Sequence, residues 1–250
     1  MFNNISIISR IENIFVKIVN FFLFKLTRKE NTISDRSMNY MKQTALSFFY
    51  KFLALTLSFL IVPLNLKFLG ELRYGVWATL FSIISWITFF DLGLGNGMKN
   101  KVSEALAHKD NNLAKVYIST TYYLIGIFCS ILFLIIFSLS FFIHWQKVFN
   151  TLLVSEFELR WTFIITVFFI LVNFTLGLIS QVVQAFQKTS LSVLSQFFLN
   201  LIQFILFIIL LQFSRKHLIL LAFFIGLSGF IINLLFNYFF YKNYPDFKPS

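Results

Sequence analysis

Long stretches without a charged residue follow one another along most of this chain. No Asp, Glu, Lys or Arg occurs in 116–143, 161–187, 189–214 or 218–241. Each stretch is longer than the roughly 20 apolar residues that a helix needs to cross about 30 Å of hydrocarbon. A helix of a water-soluble domain would instead carry charged residues along its outer face. The pattern therefore predicts a protein that spans a membrane.

Six membrane-spanning segments are predicted, at 45–69, 74–90, 116–143, 161–186, 191–213 and 218–241. Backbone N–H and C=O groups in lipid must be bonded within the spanning structure, which only α-helices and closed barrels achieve. Barrel strands would alternate apolar and polar residues with period two, and these segments do not. We therefore expect an all-α, polytopic helix bundle, in which 37–250 forms one six-helix transmembrane lobe.

The first 36 residues have a different pattern. Apolar residues recur at helical spacing from Ile7 to Phe22, while Arg10 and Lys17 fall on another face. This arrangement predicts an amphipathic helix that lies on the cytoplasmic surface of the membrane, followed by a polar linker.

The connection 98–115 leaves two interpretations open. Met98, Val102 and Ala105 share one helical face, and Lys99, Lys101 and Glu104 lie elsewhere. The segment is therefore either a short helix that lies along the inner membrane surface or a solvated, charged loop.

The composition supports the same class, and the charges add an orientation. Only 12% of the residues are charged and 58% are hydrophobic, with 37 Phe, whereas soluble proteins carry about 25% charged residues. The net charge is +11, and the basic residues lie mostly between the spans. With a cytoplasmic N-terminus, fourteen Lys and Arg residues fall inside and six fall outside, so both termini are predicted to be cytoplasmic.

The same basic residues indicate a partner. Basic segments next to a membrane favour anionic lipid headgroups, so anionic membrane lipids are the predicted contact. Nucleic acid is not a predicted partner, because no basic stripe interleaved with aromatic residues is present.

Lys51 and Pro63 interrupt the first predicted span. A charged side chain in hydrocarbon is costly and marks a functional candidate. Lys51 therefore either faces a central cavity and attracts an anionic substrate, or bends its stem so that the ammonium reaches the headgroups. Pro63, which Asn65 follows closely, frees a backbone carbonyl and predicts a bend that helps a gate to move.

The segment from Asp91 to Lys101 is the most unusual local pattern, and reads Asp-Leu-Gly-Leu-Gly-Asn-Gly-Met-Lys-Asn-Lys. Its glycines, and an Asn that tolerates positive φ, predict a tight, close-packed turn at the membrane surface. Direct contact with substrate is the alternative. An acid at a helix C-terminus meets an unfavourable dipole, so one of the lysines should pair with Asp91. The residues of this structural or gating motif are Asp91, Gly93, Gly95, Asn96, Gly97, Lys99 and Lys101.

Amide side chains are scattered through the later spans. Hydrogen bonding between helices is their default role, and a polar path for sugar hydroxyls is the alternative. These amides are Asn173, Gln181, Gln184, Gln196, Asn200, Gln203, Asn233 and Asn237.

Nothing in the chain predicts an enzyme, a cofactor or a metal site. His108, His144 and His217 lie outside the spans and lack the spacing of metal ligands. Cys129 is the single cysteine, which excludes a disulfide framework within the chain. No Asp or Glu lies in the middle of a predicted span, which counts against a buried carboxylate relay for a coupling ion.

Several short motifs within about 39–123 resemble a known family. They are Tyr74-Gly-Val-Trp77, Ile84-Ser-Trp86, the segment from Phe89 to Lys101, Glu104-Ala-Leu-Ala107, Val62-Pro-Leu64 and Val116-Tyr-Ile-Ser-Thr-Thr121. The motifs resemble those of bacterial polysaccharide flippases, the O-antigen and capsule exporters of the multidrug/oligosaccharidyl-lipid/polysaccharide exporter superfamily.

The resemblance implies a transporter that moves an undecaprenyl-pyrophosphate-linked oligosaccharide to the outer leaflet of the bacterial inner membrane. The glycan would serve O-antigen, lipopolysaccharide, capsule or exopolysaccharide synthesis. In that family two six-helix lobes alternate access to a cavity that tends to be cationic, so Lys51 and Arg73 are expected to attract the pyrophosphate. The predicted spans make one lobe, so we expect a truncated or partial chain that needs a second six-helix lobe.

Three other interpretations stay open. A lobe of a cation-coupled multidrug exporter is disfavoured by the missing carboxylates within the spans. A membrane-embedded acyl- or glycosyltransferase of cell-envelope synthesis would need an acidic or histidine-containing site. A remnant lobe without transport activity has the same sequence features as a functional one.

Overall fold

The computed structural model describes residues 35–85, 93–212 and 217–249. These residues form eight α-helices and one 3₁₀ turn, Pro245–Phe247, and they contain no strand. The prediction of an all-α bundle is therefore confirmed. The helices are α1 Asp35–Leu69, α2 Glu71–Ser85, α3 Leu94–Ala107, α4 Asn111–Ser140, α5 Trp145–Val148, α6 Glu156–Ala185, α7 Thr189–Leu210 and α8 Leu218–Asn243.

Five of these helices are long and apolar enough to cross a membrane: Gln43–Leu69 of α1, and all of α4, α6, α7 and α8. They correspond in order to five of the six predicted spans, and the chain is a membrane protein. Their ends differ from the predicted ends because a helix continues past the hydrocarbon. For example, α4 begins before the third predicted span, at a first turn capped by Asp110, whose carboxylate accepts from the Leu113 N–H at 2.9 Å.

Two predictions lie partly or wholly outside the described residues. The described part of the second predicted span is α2, which is shorter than the roughly 20 residues of a full span; the remainder, 86–90, is not described. The amphipathic helix predicted within 1–36 likewise lies outside the described residues, except for Asp35 and Arg36. These two residues belong to α1, which begins at Asp35.

The connection between α2 and α4 contains a helix, so the interpretation of 98–115 as a solvated loop is wrong over 98–107. Helix α3 buries Met98, Val102 and Ala105 and packs against α4 and α6, so it rests on the bundle rather than on lipid. The predicted turn is wrong from Leu94 onward, since the helix begins there. Gly93 precedes it in the left-handed conformation, with φ of 74°.

Helix α6 is the centre of the bundle. It packs most extensively against α8 and also against α3, α4 and α7. In its most apolar window 44% of the residues are buried, against 17% in α1, α4 and α7. Helix α1 packs almost entirely against α7. The pair α1–α7 therefore stands beside the core of α6 and α8, and a cleft remains between them.

The two ends of the bundle differ in charge. At one end lie the starts of α1, α4 and α7 and the end of α8; we call it the lysine-rich end. The opposite end, which we call the Glu158 end, contains the start of α6 and the connection between α1 and α2. The lysines of the lysine-rich end are Lys99, Lys101, Lys109, Lys115, Lys188, Lys242 and Lys248.

Candidate functional site

A polar groove opens between α1 and α7, with α6 and α8 as its floor. Its volume is about 600 Å³. Serine hydroxyls, carboxamides and one ammonium group dominate the polar part of its lining. These residues are Lys51, Ser58, Ser180, Ser192, Ser195, Gln196, Asn200 and Asn233.

Buried amides hold α1 and α7 parallel along the groove. Asn200, 8% exposed, donates from Nδ2 to the Ala54 carbonyl at 2.7 Å. Nearer the lysine-rich end, the Gln43 carboxamide oxygen accepts from the Ser190 N–H at 3.1 Å and from its hydroxyl. From the first contact to the second, the residue numbers rise on both helices, from Gln43 to Ala54 on α1 and from Ser190 to Asn200 on α7. The two helices therefore run parallel. Lys51 precedes Ala54 by about one turn and so falls on the groove.

Lys51 has no hydrogen bond or ion pair with any described residue. Its side chain is exposed, and it lies about 12 Å along α1 from Gln43. The described residues that line the groove include no Asp, Glu or His. The described lining therefore offers no acidic group that would balance the charge of the Lys51 ammonium.

A cluster of hydroxyls lines the same groove as Lys51. Ser180 of α6 and Ser192 of α7 share a hydrogen bond at 2.6 Å, and Gln184 Nε2 donates to Ser192 Oγ at 3.2 Å. Ser192 lies in the first turn of α7, which begins at Thr189. The N-terminus of a helix carries a partial positive charge. Hydroxyls, a helix N-terminus and an ammonium group together favour an anion.

A second cavity adjoins the groove on the side of the Glu158 end. Its volume is about 460 Å³, and Gln196, Leu199 and Asn233 line both cavities. Aromatic rings replace the serines here. The lining includes Trp77, Phe81, Phe169, Phe174, Asn173 and Gln203. We call it the aromatic chamber.

Arg73, the other residue expected to attract substrate, lies elsewhere. Its Nη1 forms an ion pair with Glu158 Oε1 at 2.7 Å. Leu69, beside it, is about 27 Å along α1 from Lys51. The structure therefore does not bring Arg73 and Lys51 into one site.

Glu158 is a buried carboxylate that the sequence patterns did not single out. It is 7% exposed and also accepts from the Leu218 N–H at 2.9 Å, with His217 Nδ1 at 3.6 Å. It therefore ties the starts of α2, α6 and α8 together. The signal available in the sequence was Ser155, a helix-capping residue type three residues earlier. Its hydroxyl caps α6 by accepting from the Glu158 N–H.

The described part of the glycine motif lies in α3 and at its N-cap. Gly95 is buried in α3, whereas no atom lies within 4 Å of a Cβ placed on Gly97, so the close packing predicted there is not found. Asn96 is helical and accepts from Lys99 Nζ at 3.1 Å. Asp91 lies outside the described residues, so its predicted lysine partner is not tested.

Lys101 and Pro63 complete the set of predicted residues. Lys101 Nζ bonds Glu104 Oε2 at 2.9 Å, and this hydrogen bond lowers the pKa of the Glu104 carboxyl and raises that of Lys101. Pro63 lies on the exposed side of α1, which continues through it to Leu69. Neither residue lines the groove.

Comparison with known proteins assigns no family. No protein-family model, curated protein or solved structure matches the chain. The resemblance to polysaccharide flippases in 39–123 therefore stays a prediction from the sequence motifs.

Proposed function

We propose that this chain is one lobe of a flippase that moves an undecaprenyl-pyrophosphate-linked oligosaccharide across the bacterial inner membrane. The observation that carries the proposal is the ammonium of Lys51, which has no partner among the described residues and lies in a groove lined by hydroxyls and amides. The sequence motifs that resemble polysaccharide flippases support the same function.

The chemistry of the groove suits a lipid-linked pyrophosphate better than an organic cation. A pyrophosphate bears acceptor oxygens and negative charge, which the ammonium of Lys51 complements. A cationic drug would meet Lys51 with no carboxylate among the described residues of the groove to offset the repulsion.

A second six-helix lobe is the proposed partner. Lys51, Leu55 and Ser58 line the groove yet are exposed. If lipid covered this side, an unpaired ammonium would lie against hydrocarbon, which is costly. A facing lobe would enclose the groove and create the cavity that alternating access requires.

The proposed orientation places the lysine-rich end at the cytoplasm, with both termini on that side. The excess of basic residues in these connections is the supporting pattern. Lys51 would then lie in the inner half of the membrane, where a substrate made in the cytoplasm enters. Anionic headgroups would contact the lysines of that end.

The test is equilibrium binding of undecaprenyl pyrophosphate to the full chain in lipid nanodiscs. We expect Lys51→Gln to weaken binding about tenfold, or about 1.4 kcal/mol, because the charge facing the pyrophosphate is lost. Lys51→Arg should retain most of the affinity, since the charge remains. Lys67→Gln, at an exposed lysine farther along α1, is the matched control and should bind as the parent does.

Two outcomes would overturn the proposal. Equal affinities of the parent and Lys51→Gln would remove Lys51 from the site. Binding of tetraphenylphosphonium without binding of undecaprenyl pyrophosphate would favour the multidrug exporter instead.

A further inference from the structure

The aromatic chamber contains hydrogen-bonding groups that no described residue uses. Gln203 is half-buried and makes no hydrogen bond with any described residue. Gln196 and Asn233 each donate from their amide nitrogen, to Asn200 and Asn173 respectively, but their carboxamide oxygens accept nothing from the described chain. Unused polar groups are costly within a membrane, so a ligand or water must satisfy them.

The rings of the chamber supply a broad apolar surface opposite these amides. The ring centroids of Trp77 and Phe81 are 5.9 Å apart on α2, and Phe81 is 44% exposed. Phe169 and Phe174 contribute from α6. A site with aromatic walls and a few planar amides suits a ligand that has both an apolar face and a hydroxylated edge. A pyranose ring has this form.

The chamber also excludes charge. Among the described residues that line it there is no Asp, Glu, Lys, Arg or His. An ionised group of the ligand would enter the membrane interior without a partner, which is strongly unfavourable. The ligand part held there must therefore be neutral.

The chamber lies at a suitable distance from Lys51. Because α1 and α7 run parallel with Ala54 beside Asn200, Gln203 lies about 9 Å farther from the lysine-rich end than Lys51 does. A pyrophosphate and the sugar attached to it extend over a comparable length. The two cavities adjoin, since Gln196 and Asn233 line both of them.

We infer that the aromatic chamber binds an uncharged glycosyl unit of the lipid-linked glycan, while the pyrophosphate stays beside Lys51. This inference rests on the proposed function and adds to it a substrate class: the sugar nearest the pyrophosphate is neutral, such as a hexose or an N-acetylated hexosamine. Gln203 bonds its hydroxyls, and Phe81 with Trp77 covers its apolar face.

The experiment compares three lipids on the full chain in nanodiscs. The probes are undecaprenyl pyrophosphate, the same lipid bearing N-acetylglucosamine, and the same lipid bearing glucuronic acid. We expect the parent to bind the N-acetylglucosamine lipid about tenfold more tightly than the unglycosylated lipid. The glucuronic acid lipid should show no such gain.

Gln203→Leu should abolish the gain from the sugar and leave the affinity for the unglycosylated lipid unchanged. Phe81→Leu, at an exposed position, is the second variant and should reduce the gain from the sugar. It tests the chamber even if the Gln203 variant does not fold. Gln212→Leu, which replaces an exposed amide just past the end of α7, is the control and should keep the full gain.

The outcomes separate the two proposals. If Lys51→Gln weakens binding but the sugar adds nothing, or if Gln203→Leu and Phe81→Leu both keep the gain, only the chamber is wrong. An equal gain from glucuronic acid would overturn the neutral substrate class. If the parent binds none of the three lipids, the proposed function fails together with this inference.

Discussion

Polar side chains are hydrogen-bonded to the protein where α6 crosses α8. Beside α1, some polar side chains have no hydrogen-bond partner in the described chain. At the crossing, Asn173 Nδ2 donates to the Gly226 carbonyl at 3.1 Å, and Asn233 Nδ2 donates to Asn173 Oδ1 at 3.1 Å. The side chains of Lys51 in the groove and Gln203 in the aromatic chamber have no hydrogen bond with the described chain. Paired amides join helices, whereas unpaired ones remain available to a ligand.

The crossing is also a place where two helices approach closely. A Cβ placed on Gly226 would lie 2.2 Å from Cγ of Phe169, and one on Gly229 would lie 2.8 Å from Nδ2 of Asn173. Small residues let the backbones of neighbouring membrane helices approach in this way. The polar groups of the crossing thus serve the fold, whereas Lys51 in the groove and Gln203 in the aromatic chamber are available for function.

The largest expected effect comes from filling the crossing. Gly226→Val should destabilise the protein by about 3 kcal/mol or prevent folding, because its side chain overlaps the Phe169 ring. Thermal unfolding in detergent, followed by size-exclusion chromatography, measures the loss.

The control is Gly126→Val in α4, where no atom lies within 4 Å of an added Cβ. It should change stability by less than about 0.5 kcal/mol, as substitutions away from close contacts usually do. Equal losses in the two variants would mean that a β-branched residue in any helix causes the effect, and the close crossing would lose its role.

A smaller effect is expected from a paired charge at the Glu158 end. Glu158→Gln keeps one acceptor for the Leu218 N–H but removes the charge that Arg73 and His217 face. We expect a loss of about 2 kcal/mol, the scale of a hydrogen bond to a charged group. Thermal unfolding again measures it.

Lys51→Gln is the counterpart of Glu158→Gln, since it removes a charge that has no described partner. Its stability should stay within about 0.5 kcal/mol of the parent. A loss as large as that of Glu158→Gln would show that Lys51 has a structural partner, which would contradict its assignment to substrate.

The sequence predicted most of the fold because charge is excluded over whole spans, and that signal is difficult to mistake. Five spans were placed within a few residues of their helices. The onset of α3 at Leu94 was missed because glycines and Asn96 resemble a turn, while the burial of Met98 and Val102 stabilises a helix there. Tertiary packing overrode the local preference.

The candidate site was predictable only in part. Lys51 stands out because a charge within an apolar run is conspicuous. The sequence does not distinguish Gln203 from Asn237, since each is an amide in an uncharged stretch. Whether an amide finds a partner depends on which helix faces it, and that is set by packing between distant segments. Glu158 was missed because it lies at the start of a span, where acids are common.

The smallest expected effect tests these two amides as a matched pair. Asn237 Nδ2 donates to the Leu176 carbonyl at 2.9 Å, and its Oδ1 accepts from Tyr122 Oη at 3.1 Å. Asn237→Leu should therefore cost about 1 kcal/mol, near the upper part of the range for hydrogen bonds between membrane helices. Gln203→Leu should cost nothing or be slightly stabilising, because it removes a polar group that has no described partner. Unfolding of both variants, side by side in the same detergent, decides whether pairing separates structural amides from functional ones. Equal losses would contradict that division, and with it the assignment of Gln203 to a ligand.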